Sequence, residues 1–323
     1  MKDPGFKEEE VSTGLEAQTQ TIMRNLERQM IGHLGRCFPR QVWGWYSRKA
    51  RQLGLTGIYV ILSFDCDTPE DVGAARDLDD VLWGRGIKRT YAVPGPILEQ
   101  GADVFGRLAE KGADFINHGS KPHTEWREGR YWSVNFYQHL TSEEVLEDIR
   151  RGHSIVEKVT GQSPRGFRVP HFGEFQAPNQ LSLLRANLNR LNYRFSTSTV
   201  PAFGFRYGPI WKEGGLYEIP LSGSYRSFFT LFDSWNYIIS PQQPVVGEEF
   251  GEIFVETITR LEAAGGTGIL NYYVDPWHVS KSPSFFKAID YVVNRRIPTF
   301  LFGELLDLVE ENELRGKEGW KAG

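Results

Sequence analysis

Asp65 and Asp67 stand one residue apart in Ser63-Phe64-Asp65-Cys66-Asp67-Thr68, directly behind the apolar run Ile58-Tyr59-Val60-Ile61-Leu62. If that run is a strand and continues, both carboxylates fall on one face within a single strand repeat. Two anions so close stay ionised cheaply only with a cation beside them. Downstream, Asn117-His118-Gly119-Ser120-Lys121-Pro122-His123 brings two histidines to short range. Two histidines and one carboxylate are the protein ligands of an open catalytic zinc site, with positions left for water and substrate. A second carboxylate is then placed to take a proton from acidified water. An acidic turn capping a helix from Pro69 would explain Thr68-Pro69 but leaves Asp65 unaccounted for.

These groups need elements to carry them. Strands are expected at 58–64, 89–93, 114–117, 166–169, 194–196, 216–219, 269–274 and 299–302, alternating with helical periods at 69–84, 96–111, 141–159, 180–191, 248–264, 282–294 and 303–312. Thr141 and Glu144 form a capping box at the start of one helix. Strand then helix, repeated with short links, implies an α/β fold with a parallel sheet under helices, as a closed or nearly closed barrel or an open doubly wound sheet. In either, chemistry collects where strands end. Arg168 and His171 follow the fourth strand, and Asp275 and His278 the seventh; four of the seven histidines, His118, His123, His171 and His278, fall at such ends. No strand–helix junction carries a phosphate-cradling glycine loop.

The organisation expected is an N-terminal arm over 1–55, a catalytic barrel over 56–312 and a tail over 313–323. Within the arm, Glu8 to Leu34 has helical periodicity, and the following segment mixes Trp43, Trp45 and Tyr46 with Arg40, Arg48, Lys49 and Arg51. Residues 40–53 read as an arm packed on the barrel, with peripheral membrane or protein contact as the alternative. A net charge of -4 gives no cationic field for nucleic acid, and 40% hydrophobic residues suit a globular chain. Two cysteines, Cys37 and Cys66, and the absence of an apolar leader in these residues lead us to expect a cytoplasmic protein.

Five stretches, SFDCDT, NHGSKPH, Phe167-Arg168-Val169-Pro170, Tyr217-Glu218-Ile219-Pro220 and Asp275-Pro276-Trp277-His278, occur in the order and approximate spacing of the NodB-type polysaccharide deacetylases, the family-four carbohydrate esterases. The chain resembles that family from about Gly57 to Leu308. Its first motif is similar to the D-x-D variant of cytoplasmic branches, which include a deformylase of lipid-linked aminoarabinose and cofactor-independent allantoinases. The resemblance implies a deformed (β/α)7-type barrel and a metal-dependent amide hydrolase removing an N-acetyl or N-formyl group from a sugar, glycan or sugar-lipid intermediate. An allantoinase-like hydrolase of small cyclic ureides, or a silent carbohydrate-binding barrel, is the alternative. Carried over, Asp65 is the base, oriented by Arg168, and Asp67, His118 and His123 hold the metal, with zinc the default and cobalt, nickel or iron acceptable.

Two departures matter. The family's histidine pair has three intervening residues, whereas His118 and His123 have four, so His123 can be a ligand only if the loop bulges. Where relatives carry H-P-W-E, this chain has Asp275-Pro276-Trp277-His278, which makes His278, or else Asp275, the expected acid for the leaving amine. His171 is expected to bind substrate or join the metal shell, and Trp126, Trp132 and Trp235 to stack on sugar. Asp233-Ser234-Trp235 is a weaker echo of the family's fourth motif.

Overall fold

The computed structural model describes residues 37–319, with side chains to 315. The helix expected over Glu8 to Leu34 lies outside the described residues. Strand β1 (Ile58–Asp65) is the axis of the fold, because its apolar run is buried on both faces as parallel strands require. It pairs in parallel with β10 (Gly268–Val274), from Ile58 opposite Gly268 to Phe64 opposite Val274. On its other side follow β2 (Thr90–Val93), β3 (Asp114–Asn117), β6 (Gly166–Phe167), β7 (Phe195–Ser196) and β9 (Leu216–Glu218), all parallel. An antiparallel edge strand, β8 (Trp211–Glu213), completes the eight-stranded sheet.

The sheet curls into the deformed barrel expected, and side chains tie its seam. Asn271 of β10 accepts the Ser222 N–H at 2.9 Å through its carbonyl. Its amide donates to Thr197 Oγ1 at 2.9 Å and to the carbonyls of Ile219 and Pro220 at 3.1 and 3.2 Å. No helix among the described residues is long and apolar enough to cross a membrane.

Helix α1 (Pro39–Gln52) shows what the aromatic arm residues do. Trp43 is 1% exposed, with its ring centroid 5.6 Å from Tyr46, 5.3 Å from Phe205 and 5.7 Å from Phe228. The Tyr46 hydroxyl donates to the Ile269 carbonyl of β10 at 2.6 Å. Trp43 and Tyr46 are core, while Arg40, Arg48 and Arg51 stay in solvent. The strand expected at 299–302 is a single bridge, Val60 to Thr299, because the chain turns at Phe302 into the helix Phe302–Gly319, which runs through the expected start of the tail. A hairpin of β4 (Thr124–Arg127) and β5 (Arg130–Ser133) stands where a loop is expected.

The loop from His118 to His123 is built by its neighbours. Asn117 accepts the Gly119 N–H at 2.9 Å and donates to the Ile149 carbonyl and the Tyr193 hydroxyl, both at 2.8 Å. Asp148, on the helix Ser142–Thr160, accepts from Ser120 N and Oγ at 3.0 and 2.8 Å and from Tyr137 at 2.6 Å. Gly119 turns with φ of 84°, a region a side chain resists. A Cβ on Gly152 would overlap the Asn117 amide oxygen and the Gly119 backbone.

Trp43→Ala should cost about 3–5 kcal/mol in urea unfolding, with Trp43→Phe costing far less because the indole N–H has no partner. Gly152→Ala should destabilise by about 1–3 kcal/mol through overlap, whereas Gly73→Ala, in open space within a helix, should stabilise by roughly 0.5–1 kcal/mol.

Candidate active site

Asp65 is the last residue of β1 and is 3% exposed. Arg168, just past β6 and wholly buried, donates from Nη1 to Asp65 Oδ1 and from Nη2 to Ser63 Oγ at 2.8 Å. Its carbonyl lies 2.9 Å from His118 Nδ1. A carbonyl only accepts, so Nδ1 carries the proton and the Nε2 lone pair points away from it. Nε2 lies 3.7 Å from Asp65 Oδ2 and 3.8 Å from Asp67 Oδ1.

His123 places Nδ1 at 2.9 Å from Asp67 Oδ1, while its buried Nε2 has no partner. The two imidazoles meet edge to face at 4.3 Å. Asp67, His118 and His123 each offer a ligand atom, all within 4.8 Å of one another. The four-residue spacing is accommodated because the segment is a bulged loop and not a helix, so helical rotation does not apply. A lone pair and two carboxylates converging, with an orphaned buried imidazole nitrogen beside them, fit a divalent cation by both geometry and donor chemistry.

Burial pushes the Asp65 carboxyl up to about 7 against the pull of Arg168, with Asp67 adding to the rise. Burial acts on Asp67 in the same direction, but His123, His118 and His171 outweigh it and hold it well below the usual carboxylate range. His118 is held neutral, first by burial and then by His123. His123 resists burial because Asp67 pairs with it, and its imidazole is raised. Two carboxylates one residue apart are thus split, one near neutrality and one firmly anionic.

A cleft of about 350 Å³ opens over this group, lined among others by Asp65, Asp67, His118, His171, Asp233 and Trp235. His171 lies outside the Asp67–His118–His123 set; its Nε2 donates to the Val134 carbonyl at 2.7 Å, and its ring is 5.5 Å from His123. His278 and Asp275 are not on the cleft wall. Ser234 Oγ sits 2.6 Å from Asp275 Oδ2 and 3.0 Å from His278 Nδ1, joining them behind the wall. Trp126 and Trp132 ride on the hairpin, whose Thr124 and Ser133 reach the cleft.

Two acids escaped the expected site. Asp233 lines the cleft, accepts from Asn236 N at 2.8 Å and Tyr273 OH at 3.3 Å, and is pushed by burial to about 6. Its signal was the weak D-S-W echo. Asp71 accepts from Thr68 N and Oγ1 at 3.0 and 2.7 Å and from Trp277 N at 2.9 Å, and so ties the first acidic motif to the last.

Residues 54–194 match the family model described as polysaccharide deacetylase. No curated protein matches the sequence. The fold is similar to that of a Mycobacterium smegmatis protein assigned as a polysaccharide deacetylase, at 14% identity, TM-score 0.58, and 80% of this chain over 91% of that one. A Pseudomonas aeruginosa PAO1 protein of the same assignment superposes at 12% identity and TM-score 0.56, covering 78% of this chain and 90% of that one. Puue allantoinase does so at 12% and 0.57, covering 78% and 89%. These likenesses speak for the fold. Residues 54–194, which carry Asp65, Asp67, His118, His123 and Arg168, are thus similar to the polysaccharide deacetylase family, and that part of the chain is deacetylase-like.

Proposed function

We propose that the chain is a metal-dependent amide hydrolase that removes an N-acetyl or N-formyl group from an amino sugar, free or within a glycan or sugar-lipid. The observation that carries this reading is the Asp65–Arg168 pair set beside the Asp67–His118–His123 donors, with Asp65, Asp67 and His118 opening on one cleft. A divalent ion, zinc by default, would be held by Asp67, His118 and His123 and would supply charge to polarise the amide oxygen and acidify water.

Arg168 engages Asp65 Oδ1 and leaves Oδ2 on the side of His118 Nε2, so Oδ2 is the oxygen that takes the proton of the attacking water. The guanidinium opposes the rise that burial imposes on Asp65, and a cation held beside it would add to that opposition and favour the ionised base. Breaking the C–N bond releases acetate or formate and an amine that needs a proton. Asp233, on the cleft wall and with its carboxyl pushed to about 6, is the donor in this reading. Asp275, Ser234 and His278 brace the wall from behind.

Asp65→Asn should lower acetate or formate release by about 10²–10⁴-fold while metal content stays stoichiometric. Asp67→Ala should lose both turnover and metal, and Asp233→Asn should lower kcat more than it changes KM. Wild-type turnover in Asp65→Asn, or hydrolysis of cyclic ureides with none of acylated amino sugars, would overturn the proposal.

A further inference from the structure

His171 is a cleft histidine that the mechanism above leaves unused. It follows Arg168 past the exit of β6 with φ of 59°, in the left-handed region that side chains resist, and Glu174 N donates to its carbonyl at 3.2 Å. Backbone of this kind persists only where the surroundings hold it, and it clusters at functional sites. The half-buried ring is held on two sides: it packs on Phe136 at 4.3 Å and 31°, and Nε2 meets the Val134 carbonyl at 2.7 Å. Val134 N in turn donates to the His123 carbonyl at 2.8 Å, which fixes the ring beside the candidate metal donors, 5.5 Å from His123.

The contact with Val134 decides the tautomer. A carbonyl only accepts, so Nε2 carries the proton; burial and His123 both favour the neutral ring, which leaves Nδ1 a bare lone pair. No described residue donates to it. Because the ring lines the cleft, that lone pair is the polar feature it offers there. Other cleft groups are engaged. Asp65 and Asp233 serve proton transfer in the reading above, Asp67 and His118 belong to the metal donors, Asn236 is bound to Asp233 at 2.9 Å, and Thr124 donates to the Asp67 carbonyl at 2.7 Å. Glu174 also lines the cleft but is exposed to solvent.

We propose that Nδ1 of His171 accepts the N–H of the scissile amide and thereby selects an amide over an ester. The proposal rests on the amide-hydrolase reading above. An acylated amine on a sugar is a secondary amide, whose N–H loses its water as the acyl group enters the cleft and needs an acceptor there. An ester has an oxygen at that position, so lone pair would face lone pair. The ring therefore favours one substrate and opposes the other. Charge that polarises an acyl oxygen acts on amide and ester alike, so this choice falls to a group that reads the leaving atom.

The test compares acetate release from methyl glucosides acetylated at N2 or at O2, with metal content measured on each protein. His171→Gln carries an amide nitrogen to the place of Nε2, which keeps the Val134 contact and loses the Nδ1 acceptor. Its kcat/KM should fall about 10–100-fold on the amide and stay within about threefold on the ester. His171→Asn suits a left-handed backbone and sets an amide oxygen near the place of Nδ1, so it should keep the amide preference while losing the Val134 contact. Metal should stay stoichiometric in both. An equal fall on amide and ester in His171→Gln, an unchanged preference there, or a lost preference in His171→Asn overturns the assignment; the last arm decides it should His171→Gln not fold. Acetate release by wild type with any of these outcomes leaves the hydrolase reading standing. No release by wild type from any acylated amino sugar sinks both.

Discussion

The buried contact between Arg168 and Asp65 is the constraint on which the site depends. Taking a guanidinium and a carboxylate out of water costs several kcal/mol per ion, which only close, well-aligned hydrogen bonding offsets. Arg168 meets the demand with Asp65 and Ser63 through its terminal nitrogens, and leaves Nε without a partner. The same residue binds the exits of two strands: its N–H donates to the Asn117 carbonyl at 3.0 Å, and its carbonyl takes the His118 proton at 2.9 Å. One side chain thus orients the carboxylate, while the backbone of that residue sets the tautomer of the imidazole facing it. Such a pair is a poor way to stabilise a fold and a good way to hold an ionised carboxylate where burial would neutralise it.

The spacing of the two aspartates follows from the same geometry. Asp65 and Asp67 flank Cys66, which is fully buried and turned into the core. Alternation at the strand end puts both carboxylates on the cleft side, and their neighbours then divide them. Asp65 meets a cation fixed by the fold, whereas Asp67 meets an imidazole carried by a loop. The two acids are then split by the balance at each: burial outweighs Arg168 at Asp65, whereas the histidines outweigh burial at Asp67.

Much of this was legible in the sequence because local rules wrote it. The apolar run before Asp65 is β1, and the Thr141–Glu144 box does cap its helix, with Thr141 N donating to Glu144 at 2.8 Å and Glu144 N donating to Thr141 Oγ1 at 3.2 Å. The hairpin follows local rules too: Glu128 and Gly129, with φ of 52° and 77°, make the two-residue turn that favours hairpins, between runs rich in Thr, Trp and Tyr. Other features depend on partners far along the chain. That the arm packs on the barrel is readable from its composition, but the partners of Trp43 are not, because Phe205, Tyr225 and Phe228 come together only in the fold. Asp233 is marked in sequence only by the D-S-W echo, since its place on the cleft wall comes from Tyr273 and Asn236 around it.

The altered last motif shows how such long-range contacts change the meaning of a sequence signal. Ser234 Oγ accepts the Asp275 N–H at 3.0 Å and has one proton of its own, which the 2.6 Å contact assigns to Asp275 Oδ2. His278 must then donate from Nδ1 into this pair, 3.0 Å from Ser234 and 3.2 Å from Asp275, and Asp275 raises the imidazole against its burial. Asp71 closes the group from the other side by accepting Trp277 N and Thr68 N. The turns at 67–71, 233–236 and 275–278 are therefore joined in one buried polar knot beneath the cleft. A hydrogen-bonded network of this kind fixes positions at low cost only when its members are partnered. Its visible products are Asp233 and Trp235, the first an acid and the second a ring, both presented on the wall. That arrangement favours reading the departure from H-P-W-E as a rebuilt support for the wall, with the proton donor moved to the residue it presents.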